Sequence, residues 1–143
     1  MAKGFLVVFS AVALVLAVSA PLAAQTSQLK ANIPFEFNVA GKTLPAGEYT
    51  VQNRGSGGSV LGISSFDNRV AAMVQTIPGS AWGKERGQAT LVFRRYGDSY
   101  FLSEVRNGFA LAGYELPMTR TERELSRTAS VQTVQVLAYL ARR

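Results

Sequence analysis

LKANIPFEFNV, residues 29–39, alternates without interruption. Leu29, Ala31, Ile33, Phe35, Phe37 and Val39 fall on one side of an extended chain, and Lys30, Asn32, Pro34, Glu36 and Asn38 on the other. A two-residue period is the side-chain repeat of a β-strand, so the stretch reads as one half-buried strand. Pro34 has no N–H to give to a ladder, which predicts an edge strand or a bulge at that point.

The same rhythm continues along the chain. Pro45-Ala46-Gly47 suits a type I turn, with proline second and glycine fourth, and leads into a strand over Glu48 to Asn53 with Tyr49 and Val51 inward. Gly55 to Ser59 is a glycine-serine loop. Strands over Val60 to Phe66 and Arg69 to Ile77 flank Asp67-Asn68, a two-residue hairpin turn. Strands over Gln88 to Tyr96 and Ser99 to Arg106 flank Gly97-Asp98, where glycine takes the left-handed first turn position. A further strand is expected over Phe109 to Leu116, ending before Pro117.

One segment departs from this period. TRTERELSR, residues 119–127, holds two overlapping capping boxes, Thr119 with Glu122 and Thr121 with Glu124, with acids early and Arg127 last. It predicts a helix of about two turns. Ser130 to Leu140 admits two readings: Leu125, Ala129, Val136 and Leu140 would continue a helical stripe that Gln132 interrupts, whereas Val134, Val136, Ala138 and Leu140 alternate. β-Branched residues lose rotamer freedom in helices, so a closing strand over about 130–140 is favoured. The fold class is therefore all-β: a small antiparallel sandwich or flattened barrel with one short C-terminal helix.

Outside this domain lies a leader. Lys3 precedes the apolar run Gly4 to Val18, and Ser19 to Ala24 (SAPLAA) supplies small residues for cleavage, so residues 1–24 read as a signal peptide. The run is about 15 residues, short of the roughly 20 that cross a bilayer as a helix. Residues 25–143 form the expected single β domain, with no transmembrane segment and a periplasmic or extracellular location. That domain keeps fourteen basic and nine acidic residues, a charge of +5, without a long run of one sign. The mild excess is read as solubility, or as attraction to an anionic envelope component.

Several chemistries are excluded by composition. The chain has no cysteine and no histidine, which removes thiolate and imidazole metal ligands, cysteine nucleophiles and serine–histidine catalysis. The Gly55–Ser59 loop lacks the lysine and hydroxyl of a phosphate loop. No cofactor, metal or catalytic residue is expected. Glu36, Glu48, Glu104 and Glu115 lie in or beside strands and offer the one route to hydrolysis, a facing acid–base pair.

The long connection IPGSAWGKERG, residues 77–87, is the candidate binding loop. It carries the sole tryptophan, Trp82, beside Lys84 and Arg86, bracketed by glycines. An aromatic face with nearby donors suits a glycan or small ring-bearing ligand at a barrel mouth; the competing role is a cap on the core. Arg94-Arg95-Tyr96 and Tyr100 mix cations with aromatics, but alternation sends neighbours to opposite faces, so no nucleic-acid site is expected. Arg120, Arg123 and Arg127 share one side of the helix, set to pair with Glu124 or with anionic headgroups. A membrane-spanning barrel is disfavoured by short strands, by Arg94 and Arg95, and by the Ala141-Arg142-Arg143 terminus.

Ile33-Pro34-Phe35-Glu36-Phe37, Leu44-Pro45-Ala46-Gly47-Glu48-Tyr49 and Arg95-Tyr96-Gly97-Asp98-Ser99-Tyr100-Phe101-Leu102 together resemble a family of uncharacterised exported β-rich proteins of soil bacteria. The resemblance implies a small β domain outside the cytoplasm and brings no activity with it. The expected role is a non-enzymatic envelope or secreted module, structural or binding. The alternatives are a small-ligand or glycan-binding barrel using the Trp82 loop, and a small carboxylate-dependent hydrolase.

Overall fold

The computed structural model describes residues 28–55, 59–78, 88–106 and 113–141. Eleven strands and one helix lie within them: β1 (Gln28–Ile33), β2 (Phe37–Val39), β3 (Lys42–Leu44), β4 (Gly47–Asn53), β5 (Val60–Ser65), β6 (Ala71–Gln75), β7 (Ile77–Pro78), β8 (Ala89–Tyr96), β9 (Ser99–Arg106), β10 (Gly113–Glu115), α1 (Arg120–Ser126) and β11 (Val131–Ala141). The strands form one mixed sheet, nearly closed into a barrel, in the order β3-β2-β9-β8-β11-β1-β4-β5-β6. All pairings are antiparallel except the parallel contact of β2 with β9 at Asn38 and Phe101. At one rim β10 bridges β9 to β7, the continuation of β6. At the other, Lys42 Nζ reaches the Ala71 carbonyl at 3.5 Å.

The fold class read from the alternation is the one observed, but the deciding stretch is two strands rather than one. Leu29, Ala31, Ile33, Phe37 and Val39 all face the core, as their phase predicts. β1, however, is an interior strand between β11 and β4, so Pro34 marks neither an edge nor a bulge. It ends the strand: with no N–H to continue the ladder, the chain turns through residues 34–36 and resumes as β2 against β9 and β3. Phe35 keeps its phase across this corner. Its ring stacks on Tyr100, with centroids 3.8 Å apart and planes 13° from parallel, and meets Phe93 edge-on at 5.0 Å.

The turns explain the motifs around them. Ala40 and Gly41 both have positive φ, 51° and 77°, the pattern of a type I′ turn, and close a β2–β3 hairpin that the sequence reading did not anticipate. Tyr49 is buried, and its hydroxyl donates to the Pro45 carbonyl at 2.6 Å, tying the proline turn to the strand that follows. Gly97 takes φ 59° in the expected two-residue hairpin. Across that hairpin, Val92 pairs with Glu104 and Phe93 with Leu102, so Ser103 is the extra residue of a bulge. Its hydroxyl donates to the Val92 carbonyl at 3.0 Å, and its carbonyl accepts from Leu116 N–H at 2.9 Å.

The Asp67-Asn68 hairpin is wider than the two residues expected. β5 ends at Ser65 and β6 begins at Ala71, because local side chains replace the last rungs of the ladder. Ser65 Oγ donates to Asp67 Oδ1 at 2.6 Å and accepts from Val70 N–H at 3.1 Å, while Arg69 N–H also donates to Asp67 Oδ1. These donors hold the Asp67 carboxyl below the ordinary 3.8 of an aspartate. A folded value below the unfolded one adds stability that is complete above the unfolded value and is lost as pH falls through the folded one. In an NMR pH titration the Asp67 carboxyl carbon is therefore expected to move with a midpoint below that of a free aspartate. A midpoint at or above the free value would show that the loop bonds do not form.

The helix lies where the capping signal places it, with Thr119 as N-cap accepting from Glu122 N–H at 3.3 Å. The tail is a strand, and Val134, Val136, Ala138 and Leu140 are its inward residues. Of the strand expected over residues 109–116, β10 is the described part, and residues 109–112 lie outside the described residues. Residues 1–24, read from the sequence as a signal peptide, and residues 56–58 of the glycine-serine loop also lie outside them.

Candidate functional site

Register places Gln28, Asn53, Val60, Ala89, Arg106, Gly113 and Ala141 at one rim of the barrel. The candidate binding loop joins β7 to β8 and so leaves and re-enters at this rim. Trp82, Lys84 and Arg86 themselves lie outside the described residues. Under the rim sits a cavity of about 30 Å³ lined by Leu29, Val51, Asn53, Leu61, Val105, Tyr114 and Leu140. That is room for about one water molecule, whereas drug-sized ligands occupy roughly 300–1,000 Å³. The interior below is filled: Ile33, Phe37, Tyr49, Leu91 and Phe93 are all essentially inaccessible. Phe37 meets Tyr49 and Phe93 edge-on at 5.0 and 5.6 Å. A barrel of about this strand number can be filled by side chains or can hold one small ligand, and here the described side chains fill it.

The four strand glutamates do not converge. Glu104 and Glu115 are direct cross-strand partners in β9 and β10, so two of them do meet. Glu104 is nevertheless committed to Arg106 in a forked pair, Nε to Oε1 at 2.8 Å and Nη2 to Oε2 at 3.2 Å. Gly113 lies against that pair, where a Cβ would stand 3.0 Å from Glu104 Oε1. Glu36 stands at the exposed corner between β1 and β2, and Glu48 on the outward face of β4. Among the described residues, no three acidic or other metal-binding side chains gather to hold an ion.

Alternation separates the Arg-Tyr elements as expected. Arg95 lies over the Tyr100 ring at 5.4 Å, while Arg94 and Tyr96 project from the opposite face of β8. There they meet a residue that the capping reading placed only at the helix terminus. Glu122 is 2% exposed, accepts from both Nε and Nη2 of Arg94, and accepts from the Tyr96 hydroxyl at 3.2 Å. Burial, and then the Glu122 charge, push the Tyr96 phenol above its ordinary value. Of the helix arginines, Arg120 forms the anticipated pair with Glu124, Nε to Oε1 at 3.1 Å, and Arg123 and Arg127 are exposed.

A second constellation stands on the outward side of β11, β1, β4 and the β5–β6 loop. Lys30 is the register partner of Tyr139 on one side and of Thr50 on the other. Its ammonium lies 5.9 Å from the centre of the Phe66 ring. Glu48 accepts from the Tyr139 hydroxyl at 3.3 Å through its side chain and from Phe66 N–H at 3.0 Å through its carbonyl. Phe66 is 69% exposed and Tyr139 56%. Partial desolvation, and then the Glu48 carboxylate, raise the Tyr139 phenol above its ordinary value. Sequence reasoning named Lys30 as outward and Glu48 as a candidate carboxylate, but did not bring them together with Phe66 and Tyr139. The available signal was phase: Leu137 and Tyr139 are large apolar side chains on the outward register of a strand whose inward register is Val134, Val136, Ala138 and Leu140.

Compared with protein families, curated proteins and solved structures, the chain finds no match in any of the three. Among the described residues, no helix is long and apolar enough to cross a membrane.

Proposed function

We propose that this chain is an exported, non-enzymatic β module of the cell envelope or extracellular space that acts through its surface. The observation that carries this reading is the filled interior. With Phe37, Tyr49 and Phe93 packed edge-to-face and room for about one water in the cavity that the described residues line, recognition falls to the rim and the outer faces of the barrel. The Arg106-bound state of Glu104 supports a non-catalytic role for the one carboxylate pair that register brings together. The export signal rests on the residue pattern of positions 1–24.

Two measurements test the reading. When the full chain is expressed in a bacterium and fractionated, its intact mass in the extracytoplasmic fraction is expected to correspond to a start at Gln25. Retention of the unprocessed chain in the cytoplasm would overturn export. Fluorescence of the sole indole, Trp82, titrated with glycans, peptidoglycan fragments and anionic vesicles at two salt concentrations, tests the rim. A saturable shift that salt leaves unchanged places a ligand at the Trp82, Lys84 and Arg86 loop. A shift seen only at low salt indicates charge-driven association, and unresponsive blue emission makes Trp82 a cap.

A further inference from the structure

We propose that the outward face built from Lys30, Glu48, Phe66 and Tyr139 is a binding platform for an uncharged oligosaccharide. The proposal rests on the surface-module reading above and names the ligand class that such a surface takes.

Several observations point the same way. Two exposed aromatic rings stand beside polar groups: the Lys30 ammonium lies 5.9 Å from the centre of the Phe66 ring, and Glu48 accepts from the Tyr139 hydroxyl and from the Phe66 backbone N–H. Charge then selects the ligand. Within the platform one ammonium balances one carboxylate; beside it Asp67 and Arg69 pair with each other, Asn32, Thr50 and Ser64 are amides and hydroxyls, and Leu137 adds an exposed apolar side chain. Yet the chain carries a net charge of +6. A surface for nucleic acid or anionic lipid would gather cations, and here Arg95, Arg120, Arg123 and Arg127 belong to another part of the molecule, at the β8–β9 hairpin and α1.

A neutral, amphipathic, polyhydroxylated ligand matches the remaining chemistry. The C–H face of a sugar ring packs on an aromatic face, and its hydroxyls exchange hydrogen bonds with carboxylate, ammonium, amide and hydroxyl groups. Size sets the length. From β11 to β5 is three inter-strand steps, about 14 Å between backbones at 4.7–4.9 Å each, and the Tyr139 hydroxyl crosses β1 to meet Glu48 on β4. A face of that width offers contacts to more than one sugar unit. A second copy of this chain is the weaker occupant, because the apolar side chains are separated by polar ones, and a stable interface buries about 800 Å² on each partner.

The test is affinity electrophoresis and calorimetry of the purified protein with hydroxyethyl cellulose, laminarin, mannan and chitohexaose, and with the corresponding monosaccharides. Binding to at least one polymer or oligosaccharide is expected, with affinity rising from monomer to hexamer and little dependence on salt. Phe66→Ala and Tyr139→Ala should each weaken it by about tenfold, and Tyr139→Phe, which keeps the ring, by less. Asp98→Ala, in the β8–β9 turn, should leave it unchanged. Both rings are exposed, so thermal melts of the variants should match the parent, and Phe66→Ser and Lys30→Ala provide a second pair if one does not.

Undiminished binding by the Phe66→Ala/Tyr139→Ala protein overturns the platform and leaves the surface-module reading standing. Binding confined to anionic vesicles at low salt overturns the ligand class. Dimerisation through this face in light scattering, abolished by Phe66→Ala without sugar binding, overturns it in favour of self-association. Absence of binding to every probe also overturns it, while export is decided separately by the mass of the fractionated chain.

Discussion

Arg94→Met is expected to destabilise the protein by about 3–5 kcal/mol, because it leaves the Glu122 carboxylate buried without a cation. For a domain of this size that is a fall in Tm of roughly 10–20 °C. The size of the effect follows from what Glu122 lacks: it is 2% exposed, and its partners are Arg94, the Tyr96 hydroxyl and nothing from bulk water. Glu122→Gln should cost less, since Arg94 is about one-quarter exposed and can recover hydration. The double variant Arg94→Met/Glu122→Leu should regain most of the loss, because an apolar pair of similar volume removes the desolvation penalty on both sides. Chemical denaturation of the three variants checks this. If Arg94→Met melts within a degree or two of the parent, Glu122 is hydrated in solution and α1 is not anchored through it.

Phe93→Ala is the second large effect, expected to cost about 3–5 kcal/mol through lost burial and the cavity left behind. Phe93 is fully inaccessible and is the ring on which the corner depends, meeting Phe35 at 5.0 Å and Phe37 at 5.6 Å, both edge-on. Removing it also takes support from the Phe35–Tyr100 stack, so the loss should spread to the β1–β2 corner. Phe93→Leu keeps most of the volume and should cost about half as much. Denaturant midpoints distinguish the pair, and near-UV circular dichroism should lose aromatic signal in Phe93→Ala. A midpoint for Phe93→Ala no lower than that of Phe93→Leu would mean that the core there relaxes to fill the space.

The two predictions mark where legibility from sequence stops. Phase was readable: every odd residue from Leu29 to Val39 that was assigned inward is buried, apart from the half-buried Phe35, and β11 follows the alternation of Val134 to Leu140. Phase depends only on the pleat, which any extended chain has. Partners were not readable. Pro34 signalled an interruption, but whether it meant an edge, a bulge or a corner depended on which strands lay alongside. Glu122 shows the same division at a single side chain. Its position in the first turn was set by the capping pattern, while its burial depended on Arg94 and Tyr96, 28 and 26 residues away in sequence.

The candidate site divides in the same manner. Trp82, Lys84 and Arg86 were chosen because they are close in sequence, and they lie outside the described residues. Lys30, Glu48, Phe66 and Tyr139 are scattered over more than a hundred positions and became neighbours only when β11 inserted between β8 and β1.

By itself the sequence determined the all-β class, the inward and outward side of most strands, the Gly97 hairpin and the capped helix. These depend on pleat geometry, on backbone angles open to glycine, and on contacts within a few residues. Only the tertiary structure decided the strand order, the corner at Pro34, the burial of Glu122 and the cluster on the outer face. Each of those requires two segments far apart in the chain to meet, and their meeting is set by how the whole sheet curls to cover its apolar side.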